Sequence, residues 1–172
     1  MYGRPREGSD LRGQWATLRA CASHGLAGVT DAGLWWGVLR HDSPLPSGDA
    51  FTACFDGAPT LLDSADVQLL LAGSPAPGAG FIQIMRARVR DRAGWATTDE
   101  VAVPMFAAAR PDFLGTLRVW DGEQLTVVDS FSSEAEARAG EARGATPAEE
   151  AAYGAWFGHL TDVEWHDLTA PW

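Results

Sequence analysis

The chain has 172 residues, of which 46% are hydrophobic, and its formal net charge is −10 at pH 7. This apolar content supports a folded core and excludes a wholly disordered chain. All 13 basic residues are arginine, and they form no basic stripe. Because nucleic acids and anionic membranes attract strongly basic surfaces, neither is expected as a partner of this acidic chain.

The two cysteines, Cys21 and Cys54, form no CxxC motif and have no metal-binding spacing with histidine. The first ten residues lack the apolar segment of a secretory signal. No apolar run reaches the roughly 18 residues that a membrane span needs. We therefore expect a reduced, cytoplasmic protein that holds no metal.

Residues 1–73 predict an abbreviated α+β unit. Residues 1–9 lack a strand pattern, so the first strand of this unit is expected to be missing or degenerate. A helix is predicted around Trp15, and the two strands of a hairpin are predicted on either side of Asp31, since Val29, Asp31 and the run into Asp42 resemble Val119, Asp121 and the run into Ser132. Only residues 44–54 separate these strands from the FDG sequence at 55–57. The second helix is therefore expected to be stunted or absent.

The clearest boundary in the chain is the small, uncharged and Pro/Gly-rich stretch from Gly73 to Gly80. Such a composition is typical of a linker. We therefore predict one domain over residues 1–73, a linker over 74–80 and a second domain over 81–172.

Residues 81–172 predict a complete unit of the order β-α-β-β-α-β, which is typical of ferredoxin-like folds. Alternating apolar residues, an Asp-Gly turn signal and helix-capping residues define the elements. Proline 104 is expected to kink or break the first helix. The predicted elements are a strand at 81–89, a helix at 92–109, strands at 113–120 and 124–131, a helix from about 134 that is interrupted near 144–147 and resumes to about 158, and a strand at 163–168.

Weak internal similarity links the two halves. The QWAT sequence at 14–17 resembles GWAT at 94–97, and three further short matches follow in the same order along the chain. Matches that occur in the same order in both halves favour a duplicated architecture. The expected fold class is therefore α+β, with tandem ferredoxin-like units, the first abbreviated, that form a dimeric α/β-barrel-like arrangement.

Several passages resemble a known family. They are FIQIMRARV at 81–89, VWDGEQLTVVDSFSSEAEA at 119–137, and the related ends FDGAPTLLDSADV at 55–67 and FGHLTDVEWHDLT at 157–169. Together they are similar to antibiotic biosynthesis monooxygenase-like proteins of the actinobacterial type. The resemblance implies a small-molecule ligand between sheet and helices, and either an intrachain pseudo-dimer or a homodimer.

The resemblance also implies an oxygenase or cyclase activity. The family includes cofactor-independent oxygenases of polyketide anthrones, and related barrels include polyketide cyclases. Its oxygenases use an asparagine–tryptophan pair. This chain has Trp95 at the expected helix but contains no asparagine, so the carboxamide of that pair is missing.

Two residues are candidates for acid–base catalysis. Asp129 alternates with Leu125, Val127 and Phe131, so its carboxyl is expected on the apolar face of a strand, where burial raises a pKa. Arg86 or Arg88 on the adjacent strand is an alternative partner that would make Asp129 part of a plain ion pair. His166, on the final strand, is a candidate general base near neutral pH.

An aromatic pocket is predicted from the eight tryptophans of the chain, because stacked rings bind flat ligands well. The same rings also suit ordinary core packing. Arg86 is a candidate for holding a carboxylated ligand. The expected substrate-binding residues are Trp95, Met85, Trp156, Trp165 and Arg86.

Three functions are compatible with these features. The first is a cofactor-independent oxygenase or cyclase of secondary metabolism that acts on an aromatic polyketide-like substrate. The second is a non-catalytic binding protein for a hydrophobic metabolite, and the third is a structural or regulatory protein without a pocket. The missing asparagine argues against the first function as the family performs it.

Overall fold

The computed structural model describes residues 1–42 and 49–172, which divide into two compact units. The first unit comprises Met1–Asp63 and Asp167–Trp172, and the second comprises Ser64–His166. Residues 64–80 therefore group with the second unit, whereas the sequence placed a boundary at residue 73.

The elements of the first unit are β1 (Tyr2–Gly3), α1 (Leu11–Arg19), β2 (His24–Val29), β3 (Trp35–Arg40) and α2 (Asp49–Thr52). The second unit contains β4 (Val67–Leu71), β5 (Phe81–Val89), α3 (Arg92–Ala109), β6 (Phe113–Asp121), β7 (Gln124–Phe131), α4 (Glu134–Ala142) and α5 (Pro147–Phe157). The last strand, β8 (Leu160–Leu168), begins in the second unit. No helix in the described ranges is long and apolar enough to cross a membrane.

The first unit is an abbreviated ferredoxin-like unit. Its sheet has the strand order β1-β3-β2, which is the order of the first three strands in a ferredoxin-like sheet. A fourth strand is reduced to two isolated bridges, Tyr2 with Thr60 and Pro5 with Phe55, and Tyr2 and Thr60 exchange backbone hydrogen bonds of 2.8 and 2.9 Å. The predicted degenerate first strand is confirmed by the two residues of β1. The predicted stunted helix is α2, although residues 44–48 of that segment lie outside the described residues.

Large rings fill the core of the first unit. Trp15 of α1 packs edge-to-face on Trp35 of β3 with 5.1 Å between ring centroids, and Phe51 and Phe55 pack on Trp35 at 5.3 and 5.5 Å. All four side chains are nearly inaccessible to solvent. Each edge-to-face aromatic pair stabilises the fold by about 0.5–1.5 kcal/mol beyond the hydrophobic contribution of burial. A few large rings can therefore stabilise the core of a small unit.

The second unit contains the complete ferredoxin-like sheet with one added edge strand. Its order is β4-β6-β7-β5-β8, and β5 to β8 reproduce the predicted β-α-β-β-α-β sequence. The strand β4, whose residues were assigned to the first domain, pairs antiparallel with β6. The fold class is therefore α+β with ferredoxin-like units, as predicted.

The helix α3 continues through Pro104, so the predicted break does not occur. Residues on both sides of the proline are anchored. Trp95 and Ala102 are buried before it, and Phe106 packs on Phe113 of β6 after it. These contacts outweigh the one backbone hydrogen bond that a proline removes.

The glycine- and proline-rich segment 74–80 is bonded to β7. The Ser74 and Ser130 hydroxyls lie 2.7 Å apart, and the backbone N–H of Ala76 donates to the Ser130 hydroxyl at 3.1 Å. The Gly80 N–H donates to the Phe131 carbonyl at 3.0 Å. The segment therefore lies fixed along the sheet of the second unit.

Replacing Gly115 with alanine is expected to destabilise the protein by about 1–3 kcal/mol, because overpacking forces a rigid neighbour to move. A Cβ atom at Gly115 would lie 2.4 Å from the carbonyl oxygen of Gly73. Gly154→Ala on α5 is the matched control. Its Cβ would meet open space, so we expect a gain of about 0.5–1 kcal/mol. Urea unfolding measures both changes, and equal stabilities of the two variants would contradict this description of β6.

Candidate functional site

Two apolar clusters lie between the sheet of the second unit and its helices. The first, here called the tryptophan cluster, joins β5, β6, β7 and β8 to α3 and α5. The second, the phenylalanine cluster, joins the other ends of β5, β6 and β7 to α3 and α4. The tryptophan cluster contains Met85, Ala87, Val89, Trp95, Trp120, Leu125, Val127, Leu160 and Trp156, and the phenylalanine cluster contains Phe81, Phe113, Phe131, Ala137, Phe106 and Ala107.

Three polar residues separate the two clusters and form a row across the sheet. Gln83 of β5 and Thr116 of β6 each lie opposite Asp129 of β7 in their ladders. Residues opposite each other in a ladder share one face of the sheet. Val127 and Phe131, each two residues from Asp129, belong to the two clusters and so point towards the helices. Asp129 shares their face of β7, so all three polar residues lie on the face that the helices cover. These three residues are called the polar row below.

An irregularity in β6 helps to place this row. The register of β6 against β7 shifts between Phe113 and Gly115, so Leu114 is an extra residue on its strand. Such a bulge changes which side chains share a face. Thr116 and Phe113, three residues apart, therefore both lie on the helix-covered face.

Solvent reaches part of the polar row. Asp129 and Gln83 are half-buried, whereas Val127 and Phe131, the neighbours of Asp129 on the same face, are almost completely buried. The Gln83 amide donates to a carboxylate oxygen of Glu141 on α4 at 3.4 Å. Asp129 and Gln83 therefore both keep some solvent-accessible surface.

Burial raises the pKa of Asp129 from its ordinary value of 3.8 to about 6. The Thr116 hydroxyl opposite it and the cations of Arg118 and Arg110 oppose this rise, and the Asp99 carboxylate adds to it. The Thr116 hydroxyl oxygen has no partner at normal hydrogen-bond geometry among the described residues, so its effect is a dipole close to the carboxyl. A carboxyl with such a pKa exchanges protons readily near neutral pH.

A buried ion pair flanks the polar row. Arg118 of β6 and Asp99 of α3 are 2% and 7% exposed, and a guanidinium nitrogen of Arg118 donates to Asp99. The Trp156 indole N–H donates to the second Asp99 oxygen at 2.8 Å. The Arg118 guanidinium also lies 4.9 Å from the ring centroid of Trp95. These contacts fix a positive charge beside Asp129.

The structure places four of the predicted site residues on the helix-covered side of the sheet. Asp129 is in the polar row, and Met85, Trp95 and Trp156 belong to the tryptophan cluster. Trp95 packs on Trp120 and Trp156 with centroid distances of 5.2 and 5.7 Å. With exposures of 2% for Trp95 and 1% for Met85, these two side chains already fill the space around them.

Arg86 and His166 lie on the opposite face of the sheet. Arg86 lies opposite Thr126 in the ladder. Thr126 is next to Val127 on β7, so both Thr126 and Arg86 point away from the helices. The Arg86 guanidinium lies 3.5 Å from the Glu164 carboxylate. His166 also lies near Glu164, at 3.9 Å. The suggestion that Arg86 or Arg88 pairs with Asp129 is therefore wrong, because both arginines occupy positions of β5 whose side chains leave the other face. Neither Arg86 nor His166 joins the polar row.

Trp165 lies neither in the tryptophan cluster nor beside Arg86 and His166. It is 46% exposed and lies 6.5 Å from the Phe157 ring at the end of α5. Phe157 in turn contacts Trp156 of the tryptophan cluster, with 4.9 Å between ring centroids. Trp165 is therefore at the rim of the helix-covered side.

Sequence reasoning missed several residues of this region. Asp99, Arg118 and Thr116 belong to it, as does Tyr153, whose hydroxyl is buried without a partner among the described residues. One signal was available: Arg118 alternates with Thr116 and Trp120 and is the only basic residue of a mainly apolar strand. No group of three potential metal ligands occurs in the part of the chain that the structure describes.

The fold defines an α+β protein built from ferredoxin-like units, and solved structures share this architecture over nearly the whole chain. A candidate monooxygenase from Fusobacterium nucleatum superposes with a TM-score of 0.60 at 10% identity, covering 98% of this chain and 89% of its own. A candidate monooxygenase from Lactobacillus acidophilus gives a TM-score of 0.59 at 11% identity, with 92% and 84% covered.

A third similar structure is an uncharacterised ferredoxin-fold protein from Listeria monocytogenes that is related to antibiotic biosynthesis monooxygenases. It superposes with a TM-score of 0.52 at 9% identity and covers 97% of this chain and 93% of its own. These proteins show that the chain has the fold of antibiotic biosynthesis monooxygenase-like proteins. No protein-family model matches the sequence, and no curated protein is significantly similar to it.

Asp129→Asn is expected to stabilise the protein at pH 8 by about 1–3 kcal/mol and to leave its stability unchanged near pH 3.5. The folded-state pKa is above the unfolded value, so the folded protein binds the proton more tightly and loses stability as pH rises from 3.8 to about 6. Asparagine does not ionise, so the variant avoids this loss of stability, which reaches its full size only above a pH of about 6. Urea unfolding at the two pH values measures the difference, and a destabilised variant at pH 8 would contradict the assignment.

Proposed function

We propose that the second unit is a small-molecule enzyme, a cofactor-independent oxygenase or cyclase that acts on an aromatic polyketide-like substrate. The observation that supports this proposal most directly is Asp129, a half-buried residue between two apolar clusters, whose carboxyl has a pKa raised to about 6. A general base of this kind needs a pKa near the working pH and access for the substrate.

The first step is removal of a proton from carbon. The ionised Asp129 carboxylate takes a proton from a C–H group that lies next to a carbonyl, and the electron pair of that bond passes to the carbonyl oxygen as an enolate. The fixed charges of Arg118 and Arg110 favour an anion in this region. The flanking aromatic clusters suit a flat, apolar substrate.

Two reactions can follow from the enolate. In an oxygenase, an anthrone enolate reacts with O2, and its CH2 group becomes the C=O of a quinone with release of one water. In a cyclase, the enolate carbon attacks a second carbonyl of the same molecule, and the new alkoxide takes the proton back from Asp129. Both start with the same base, and only the first consumes O2.

The test uses 1,8-dihydroxyanthrone as a probe, without added metal or flavin. An oxygenase consumes O2 and forms the quinone, which is followed with an oxygen electrode and by absorbance, above the rate without protein. For a cyclase, a linear poly-β-ketone thioester is the probe, and the cyclised product is measured without oxygen uptake. Failure with both probes while each still binds would contradict an enzymatic role.

A non-catalytic binding protein for a hydrophobic metabolite is the second candidate. The observation that favours it is the close packing around Trp95 and Met85, so a ligand of the second unit would lie beside the polar row rather than among these side chains. In that case 1,8-dihydroxyanthrone would bind without turnover, and Asp129→Asn would leave its dissociation constant unchanged.

A further inference from the structure

A groove runs along α1 in the first unit. Its volume is about 490 Å3, which is within the range of pockets that hold small organic ligands. The lining is mostly apolar and includes two tryptophans and two arginines. The residues that line it are Arg12, Trp15, Ala16, Arg19, Ala20 and Trp172. It is called the arginine groove below.

The walls of the arginine groove are fixed by the fold. Trp172 is held beside β2, because its backbone N–H and C=O form hydrogen bonds of 2.7 and 2.8 Å with Ala27. Trp15 is 1% exposed and packs on Trp35. The small side chains of Ala16 and Ala20 allow a flat molecule to approach the helix closely. A rigid groove loses little entropy when it binds a ligand.

The charge of the groove is opposite to that of the whole chain. Arg12 and Arg19 are exposed, and neither has a carboxylate partner among residues 1–42 and 49–172. Most other arginines of this acidic protein are paired, for example Arg92 with Asp66. The Arg12 guanidinium instead lies 4.7 Å from the centroid of the Trp172 ring. Two available guanidinium groups beside aromatic rings are a recognition site for an organic anion.

We propose that the arginine groove binds a flat aromatic carboxylate of low molecular weight. Its ring lies against Trp172 and the two alanines, and its carboxylate accepts hydrogen bonds from both Arg12 and Arg19. The site is separate from the one proposed around Asp129, since all of its lining residues belong to the first unit.

The test is calorimetric titration of the full chain with 2-naphthoate and with 2-naphthalenemethanol, which has the same ring but no charge. We expect saturable binding of the carboxylate and at least roughly tenfold weaker binding of the alcohol, because charge-assisted hydrogen bonds supply the difference. Arg12→Ala and Arg19→Ala should each weaken 2-naphthoate binding about tenfold and leave binding of the alcohol unchanged.

Two controls make the result specific. Arg90→Ala removes an exposed arginine of the second unit, and Asp129→Asn alters the polar row. Both should retain the wild-type affinity for 2-naphthoate. Arg12→Gln and Arg19→Gln, which keep the side-chain carbons as far as Cδ but remove the guanidinium charge, should show the same loss as the alanine variants, with folding checked by circular dichroism.

The proposal is overturned if 2-naphthoate shows no saturable binding, if the alcohol binds equally well, or if neither arginine variant weakens the carboxylate. Loss of binding in Asp129→Asn with no change in the arginine variants would also overturn it, and would place the ligand in the second unit. A failure of the groove leaves the oxygen-uptake test of Asp129 unaffected.

Discussion

Asp129→Asn is expected to lower kcat for 1,8-dihydroxyanthrone by about 10²–10⁴-fold, the usual contribution of a positioned general base. The variant keeps the size of the side chain but cannot accept the proton. KM should change little, because flat apolar contacts dominate substrate binding. Stopped-time product assays and oxygen uptake at pH 8 measure the effect.

The pH dependence of the wild-type enzyme adds a second readout. Only the ionised carboxylate acts as a base, so kcat/KM should rise with pH and level off above an apparent pKa of about 6. Asp121→Asn, which changes an exposed carboxyl on the same sheet, is the control and should retain both the rate and the pH profile. Equal activity of Asp129→Asn and the wild type would show that another group removes the proton.

Arg118→Met is expected to destabilise the protein by about 3–5 kcal/mol, since it leaves the carboxylate of Asp99 buried without its partner. The side chains of both residues are less than a tenth exposed. The double variant Arg118→Met/Asp99→Leu should be much more stable than Arg118→Met, because replacing both charges with apolar groups removes the desolvation penalty. Urea unfolding of the two single variants and the double variant gives the coupling free energy.

A half-exposed ion pair in the same unit is the control for that series. Arg92 and Asp66 are each about half exposed, and such surface pairs contribute about 0–1 kcal/mol. Arg92→Met should therefore cost far less stability than Arg118→Met. Comparable losses for the two variants would contradict the burial of the Arg118–Asp99 pair.

Much of the second unit could be predicted from local patterns. The alternation from Phe81 to Val89, the Asp121-Gly122 turn and the cap at Asp91 define β5, the β6–β7 hairpin and the start of α3, and the structure confirms them. These signals are local in the chain. The same alternation placed Asp129 on the apolar face of its strand, and the structure confirms that position.

The rest of the candidate site depends on contacts between distant segments. Whether Arg86 or Gln83 shares a face with Asp129 depends on the register of β5 against β7, which a one-residue slip would invert. The bulge at Leu114 and the pairing of Arg118 with Asp99 of α3 likewise depend on tertiary packing. The strand β4 was missed for the same reason, since its edge position is defined only by its partner β6.

The most direct measurement is an NMR titration of the Asp129 side-chain carboxyl carbon in the 13C-labelled protein, assigned by comparison with Asp129→Asn. We expect its chemical shift to titrate with a pKa of about 6. A pKa at or below the ordinary aspartate value would show that the carboxyl between the two aromatic clusters is a well-solvated group, and would contradict its proposed role as the base.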